Sequence, residues 1–340
     1  MTEHRSESAT PIVSVIVPAH NAERYLEDAL RSLRAQTLAD IEIIVIDDGS
    51  TDGTRTIAVR HAADDARVRV LTRDDPSGKP SIPRNMALAV ARGRYVAFLD
   101  ADDTSVPTRL ETMVRALELT GARFGFSDKR RLYVATGELA VESTLAAAKF
   151  VARAAPYMER ISGNVFLCHQ KFPAFLFTFI AVNTSTVIFH RALLAIEQTW
   201  FDESLVCFED VDFWFRLAEH TRLAFVDEVL TIMRKHEASI TASRPLQTRI
   251  DGIAVRQTHL ARLRHTLSAA EIEAAERTIG ELQYHVAYAR RCAGKASEAR
   301  DWYRASWTTR PTTAAAFGYL KSFLPPRDFP QPEAIGTIGD

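Results

Sequence analysis

The sequence predicts an α/β fold, a mainly parallel sheet flanked by helices, followed by an all-helical C-terminal extension. Three observations predict it. Short, mostly apolar runs over 12–17, 41–46, 68–71 and 95–99 read as strands buried on both faces, the pattern of sheets covered by helices. Between them lie segments with apolar residues at helical spacing, such as Leu26, Ala29, Leu30 and Leu33. From about Arg244 the helical period stands alone, through Leu260, Leu263, Leu267, Ile272, Ile279 and Leu282.

The first strand is expected to stop at Pro18, which cannot donate to a ladder. The second ends in Asp47-Asp48-Gly49-Ser50-Thr51-Asp52, a turn rich in side-chain acceptors that leads into a helix over 55–61. After the strand at 68–71 come a loop over 73–82, punctuated by Gly78 and Pro80, and a helix from Pro83. Beyond the fourth strand, Leu110, Met113, Val114 and Leu117 line a helix that ends near Gly121. Short strands are expected over 124–126, 131–134, 223–226 and 229–233, and an apolar stretch over 175–189 closes in a strand over 183–189. The alanine-rich middle of 136–171 favours helix, in a region expected to be mobile over the site. Residues 284–311 resemble one tetratricopeptide-type hairpin, which cannot bury its own face and must dock on the sheet domain or on a partner. The domain reading is a disordered tail over 1–10, a main domain over 11–242, the helical extension over 243–324 and a Pro- and Gly-rich disordered tail over 325–340.

With 46% hydrophobic and 25% charged residues the composition is that of a soluble globular protein. A net charge of -1 excludes a nucleic-acid binder that depends on a large basic field. Cys168, Cys207 and Cys292 lack any C-x-x-C spacing, so neither a disulfide framework nor a zinc cluster is indicated and a cytoplasmic setting fits. The polar N-terminus is no signal peptide, and Asn183 to Thr186 break the longest apolar stretch too strongly for a membrane span, which leaves peripheral contact with the inner membrane face open.

The chemistry begins at Asp100, Asp102 and Asp103, directly after the fourth strand. The C-terminal ends of parallel strands are where such sheets hold ligands. Two readings stand: a solvated acidic turn capping the next helix, or carboxylates gathered around a hard divalent cation that relieves their repulsion.

The strings Val15-Ile16-Val17-Pro18-Ala19-His20-Asn21, Ile44-Val45-Ile46-Asp47-Asp48-Gly49-Ser50-Thr51-Asp52, Pro83-Arg84-Asn85, Phe98-Leu99-Asp100-Ala101-Asp102-Asp103, and Phe201-Asp202-Glu203 through Glu209-Asp210 to Trp214 and Arg216, in this order, resemble the family 2 glycosyltransferases. The resemblance covers about 11–241. It implies the GT-A fold, with a Rossmann-like nucleotide-binding half over 11–103 and an acceptor-binding half over 104–242. It also implies inverting transfer of one sugar from a nucleoside-diphosphate sugar, a UDP-sugar by preference, to a glycan or lipid-linked acceptor in surface polysaccharide or glycoconjugate synthesis.

By the same resemblance Asp48 would accept from the ring N–H of a pyrimidine, with an Asx-turn as its other role. Pro18, Ala19, His20 and Asn21 would floor the base. Asp100 would reach the ribose or a metal-bound water, and Asp102, with His236 as a further ligand, would hold Mn2+ or Mg2+. Arg84 would pair with the diphosphate, or else be a solvated helix residue, and His236 would otherwise be structural. Asp210 would be the base, with Glu209 orienting the acceptor, against a plain helix-capping role. The Gln-x-x-Arg-Trp motif of processive synthases is absent. A nucleotidyltransferase or a Rossmann dehydrogenase would need glycine-rich phosphate loops that the chain lacks. The remaining alternative is a non-catalytic nucleotide-sugar-binding module whose helical extension recruits a partner or a second copy.

Overall fold

The computed structural model describes residues 10–197, 199–236 and 243–323. Apart from Thr10, the tails expected at 1–10 and 325–340 lie outside the described residues.

The first four strands, β1 (Val13–Ala19), β2 (Ile41–Asp48), β3 (Val68–Arg73) and β4 (Tyr95–Phe98), run parallel in the order β3-β2-β1-β4. Every residue of β2 is buried, as a strand covered on both faces requires. Helices α1 (Leu26–Arg34), α2 (Thr54–Asp64) and α3 (Ser81–Val90) connect these strands. Leu26, Ala29, Leu30 and Leu33 share one core with Val13, Val15, Ile43 and Val45. Cutting Leu30 back to alanine there costs about 2–5 kcal/mol.

Pro18 does not stop β1, contrary to expectation: it lies opposite Ile46, inside the strand. Backbone groups two residues apart in a strand point the same way, and Ile16 O accepts from Leu99 N on the β4 side. Pro18 therefore turns its missing N–H toward β4, whose pairing has already ended at Phe98. Likewise α3 starts two residues ahead of Pro83, which sits in the first turn where a backbone N–H has no helical partner anyway.

The rest of the sheet is mixed. It comprises β5 (Thr104–Ser105), β6 (Phe124–Tyr133), β7 (Glu138–Leu139), β8 (Met158–Ser162), β9 (Val165–Cys168), β10 (Val187–His190) and β11 (Leu223–Lys235). The full order is β3-β2-β1-β4-β10-β6-β11-β9-β8, with β5 on β11 and β7 on β6. Because β10 is antiparallel to both β4 and β6, and β11 is parallel to β6, strands β6 and β11 run in the direction of β1 to β4.

Two pairs of expected short strands are single long ones. Ser127 and Asp128 lie between the two strands expected at 124–126 and 131–134, yet the buried Asp128 carboxylate accepts from Lys129 N (2.7 Å), Leu145 N (3.0 Å) and Ser143 Oγ, so the ladder passes through. In β11 the register shifts between Val226 and Val229 absorb Asp227 and Glu228 in a bulge. The alanine-rich middle of 136–171 is helical as expected, in the short α5 (Thr144–Ala147) and α6 (Phe150–Ala154), and the β8–β9 hairpin follows. Of the strand expected at 183–189, Thr184–Thr186 is a 3₁₀ turn capped by Asn183, and β10 begins at Val187. Helix α4 (Arg109–Thr120) ends as expected at Gly121, whose φ of 67° takes the left-handed cap.

Two compact units divide the chain. Among the described residues the sheet unit takes 10–170, 182–203 and 216–236, and the helical unit takes 171–181, 204–215 and 243–323. The sheet unit holds every strand. The helical unit holds α7 (Phe172–Leu176), the first part of α8 (Glu209–His220), α9 (Pro245–Leu263), α10 (Ala269–Cys292), α11 (Ala296–Thr309) and α12 (Thr313–Lys321). Ser268 and Glu271 make a reciprocal capping box at the start of α10. The α10–α11 hairpin buries Ala287, Ala299 and Tyr303 in a small core. It does not lack cover within its own unit, since α9 packs on α10 and α12 on α11. A Cβ on Gly318 of α12 would come within 2.3 Å of the Tyr303 ring, so only glycine allows that approach. Among the described residues no helix is long and apolar enough to cross a membrane.

Candidate active site

Since β1, β2, β4 and β11 run the same way, the residues that follow them, His20, Asp48, Asp100 to Asp103 and His236, gather at one edge of the sheet. This is the carboxyl edge, where parallel sheets hold ligands.

Basic groups surround the acidic turn after β4. Arg84 Nη2 donates to Asp100 Oδ1 at 2.9 Å, and Arg84 is only 5% exposed, which removes the solvated-helix alternative. Its guanidinium also lies 5.4 Å from the Phe201 ring centre, and Asn85 holds the Phe201 backbone from both sides, through Nδ2 to O (2.9 Å) and Oδ1 from N (3.0 Å). His236 Nε2 stands 2.9 Å from Asp102 Oδ2. Burial and the neighbouring Asp100 charge raise the Asp102 pKa above the usual carboxylate range, against the pull of His236. Asp103 lies deeper and is raised further, first by burial and then by Asp102 and Asp100. Its carboxylate accepts from Arg234 N at 3.1 Å and from Ser185, whose Oγ in turn accepts from Asp100 N at 3.0 Å.

The turn is therefore a built structure rather than a solvated one. Three crowded acids, two of them with raised pKa values, are the electrostatic condition that a divalent cation relieves, and their carboxylate oxygens are the ligand type that Mn2+ or Mg2+ takes. Among the described residues no group of three or more His, Cys, Asp and Glu side chains gathers around one point. A cation here would complete its shell with water or a bound ligand.

At the end of β2, alternation sends Asp47 and Asp48 to opposite faces. Asp47 takes Arg55 Nε (2.6 Å) and the turn amide of Ser50 (3.2 Å), so it, and not Asp48, makes the turn bond. Asp48 lies opposite Arg73 in the register and pairs with its Nε at 2.9 Å. It also accepts from Ser77 N (3.1 and 3.0 Å) and Ser77 Oγ (2.5 Å). His20 Nδ1 donates to Asp48 O at 2.8 Å, a tautomer that leaves Nε2 to accept from Asn21 Nδ2 at 3.3 Å. Pro18 and Ala19 close β1 beside them, and Asn21 bridges to the β2 turn through Ser50 Oγ (3.0 Å) and Thr51 N (2.9 Å).

Glu209 and Asp210 open α8 within the helical unit. Glu209 is buried, and Asp210 is half-buried with its Oδ1 accepting from Val211 N at 2.7 Å. Asp212 pairs with His259 Nε2 at 2.9 Å.

Several residues of the carboxyl edge escaped the sequence reading. Arg109 is buried and donates through Nη2 to Phe98 O (2.9 Å) and Val187 O (3.3 Å), and burial pulls its pKa down to about 10 despite the Asp103 charge. Arg234 reaches Asp102 O (3.3 Å) and Asp28 (2.7 Å), and the Tyr25 ring stacks on His236 at 5.0 Å. Arg73 escaped too, although it had a readable signal, its place opposite Asp48 once β2 and β3 are paired in parallel. A hollow of about 940 Å³ opens at the opposite edge, lined by Pro11, Ile12, Leu88, Leu194 and Trp200 among others. No carboxylate lines it, so it offers no seat for a hard cation.

A family model described as glycosyl transferase family 2 matches residues 14–140. Glycosyltransferase TuaG of Bacillus subtilis, named for teichuronic acid biosynthesis, is 41% identical over 117 residues, 34% of this chain and 46% of that protein. An uncharacterized glycosyltransferase of the same organism, EpsJ, is 41% identical over 130 residues, 36% of this chain and 37% of that one. The matched part thus spans less than half the length of these relatives. Staphylococcus aureus TarS 1–349 in complex with UDP-GlcNAc superposes with a TM-score of 0.63 at 20% identity, over 92% of this chain and 89% of that one. The mannosyltransferase PcManGT of Pyrobaculum calidifontis with GDP-Man and Mn2+ gives 0.55 at 18% identity, over 92% and 88%. At these identities the likeness is one of fold, and the fold is GT-A-like.

Proposed function

Because this chain belongs to glycosyl transferase family 2 over residues 14–140, we propose that it is an inverting glycosyltransferase. It moves one sugar from a UDP-sugar to a hydroxyl of a glycan or lipid-linked acceptor in surface polysaccharide or glycoconjugate synthesis. The observation that carries the reading is the carboxyl edge, where Asp100, Asp102 and Asp103 sit among Arg84, His236 and Arg234.

In the reaction the acceptor oxygen bonds to the anomeric carbon, the bond from that carbon to the diphosphate oxygen breaks, and configuration inverts. The acceptor proton passes to the Asp210 carboxylate, and Glu209 orients the acceptor. A placed base contributes about 10²–10⁴-fold. Asp102 and His236 would hold a divalent cation, which when bound neutralises charge growing on the leaving diphosphate and is worth several kcal/mol. Arg84 adds a guanidinium fork for phosphate oxygens, shared with Asp100. Asp48 accepts the uracil ring N–H by exchanging it for the Ser77 hydroxyl, while Pro18 to Asn21 form the floor under the base. That PcManGT was solved with Mn2+ and TarS with UDP-GlcNAc supports a metal-assisted nucleotide-sugar reading.

The test is a thermal-shift panel of UDP-, dTDP- and GDP-sugars with and without Mn2+. Stabilisation by UDP-sugars that depends on Mn2+ is the expected result. Equal stabilisation by GDP-sugars removes the pyrimidine assignment, and none by any donor removes the transferase reading.

A further inference from the structure

We infer that one face of α9, carrying Asp251, Gly252, Arg256 and His259, positions Asp210 by clasping a left-handed bend at Phe208. The inference rests on Asp210 being the base proposed above. Phe208 has φ +63°, in a region that a bulky side chain adopts only where its surroundings compel it. It directly precedes Glu209, the first residue of α8.

α9 supplies contacts before, at and after the bend. Ahead of it, Cys207 N and Val206 N donate to Asp251 Oδ2 at 2.9 and 3.3 Å, and Gln247 Nε2 holds the other oxygen at 2.7 Å. At the bend the Phe208 ring lies so close to α9 that a Cβ on Gly252 would stand 3.0 Å from it. The buried Arg256 guanidinium is 5.4 Å from the ring centre, and it is anchored on Phe177 O (2.9 Å) and Gly252 O (3.0 Å). After the bend His259, stacked on Phe215 at 4.6 Å, holds Asp212 at 2.9 Å. Asp251, Arg256 and His259 project from one side of the helix at spacings of five and three, with Gly252 leaving room between them. Asp210 lies between the two clasped points, so the direction in which α8 leaves the bend sets where its carboxylate aims. Residues 245–263, like Phe208 and Asp210 themselves, lie outside the segment that the family model matches.

The test uses the full chain with three substitutions, Asp251→Ala, Gly252→Ala and Asp251→Asn, the last keeping an oxygen for Cys207 N–H. Two readouts are taken: amide exchange at Cys207 and Val211, and Mn2+-dependent UDP release from UDP-glucose, UDP-galactose and UDP-N-acetylglucosamine with water as acceptor. For both alanine variants, exchange at the two amides should rise about 10-fold or more. Saturated UDP release should fall about 10-fold or more, with UDP affinity held within about twofold. Asp251→Asn should restore most of both. A role in stability alone would lower the melting temperature and leave saturated turnover unchanged. Turnover within about twofold of the parent in both alanine variants, with Asp210→Asn inactive, overturns the clasp and leaves the base standing. Turnover by Asp210→Asn removes the base itself. If the parent releases UDP from none of the three donors, unaltered exchange at Cys207 and Val211 overturns the clasp.

Discussion

Asp100-Ala101-Asp102-Asp103 and Glu209-Asp210-Val211-Asp212 each place three acids within four positions, and their surroundings differ in kind. The first stretch follows a strand and is ringed by Arg84, Arg234 and His236, with Arg109 buried behind it. Even so, burial and mutual repulsion hold Asp102 and Asp103 above the usual carboxylate range. The second stretch opens a helix, where the macrodipole favours negative charge, and one histidine takes Asp212. Similar chemistry in the chain thus becomes a crowded turn ringed by basic groups in one place and a helix-borne set of acids in the other. Neighbours make the difference, not composition, and the proposed division of labour follows from it.

The comparison breaks most visibly at Asp210. Asp210→Asn should lower turnover about 10²–10⁴-fold while donor affinity stays unchanged, measured by product formation and calorimetry. Retained turnover would mean that the second stretch carries no base. Next is Asp102→Ala, which should abolish the Mn2+-dependent part of donor binding and leave the fold intact by circular dichroism. If calorimetry with and without Mn2+ gives the wild-type difference, the crowded stretch is not a cation seat.

A smaller effect is expected at the base end of the site. Asp48→Ala should weaken UDP binding about 10-fold, the size of one hydrogen bond to a charged acceptor, and erase the preference over GDP. The smallest effect sharpens the contrast from outside both stretches. Arg67 and then Arg34 bring the Asp65 pKa down to about 2, the reverse of the shift at Asp102. A lowered folded pKa contributes stability that is fully present above the unfolded value near 3.9 and is lost as pH falls through 2. Asp65→Asn should therefore melt a few degrees lower at pH 6, with the gap closing between about pH 4 and pH 2. A gap independent of pH would remove the ion-pair account of Asp65.

Much of this was legible in the chain because it is local. Short, mostly apolar runs separated by helical spacing and turn residues read as strands covered on both faces, so β1 to β4 and their order of appearance were readable. The spacing in α1 and α4, Gly121 as a left-handed cap and the acids after β4 were equally so. The expected strands stopped short of Ser127, Asp128, Asp227 and Glu228, and the partners that let Asp128 stay in its strand, Ser143 and Leu145, lie far along the chain. Pro18 misled for the same reason, since whether a missing N–H matters depends on where the neighbouring strand ends.

The sequence by itself determined the α/β class, the helical C-terminal part and the candidate acids, since periodicity and residue chemistry are properties of a few adjacent positions. Only the tertiary structure decided which charges those acids meet. Arg84 on Asp100, His236 on Asp102, Arg234 and Ser185 on Asp103, and Arg73 with Ser77 on Asp48 are all contacts across distant segments. Electrostatic character depends on distance and burial, and neither is written in any short stretch of chain.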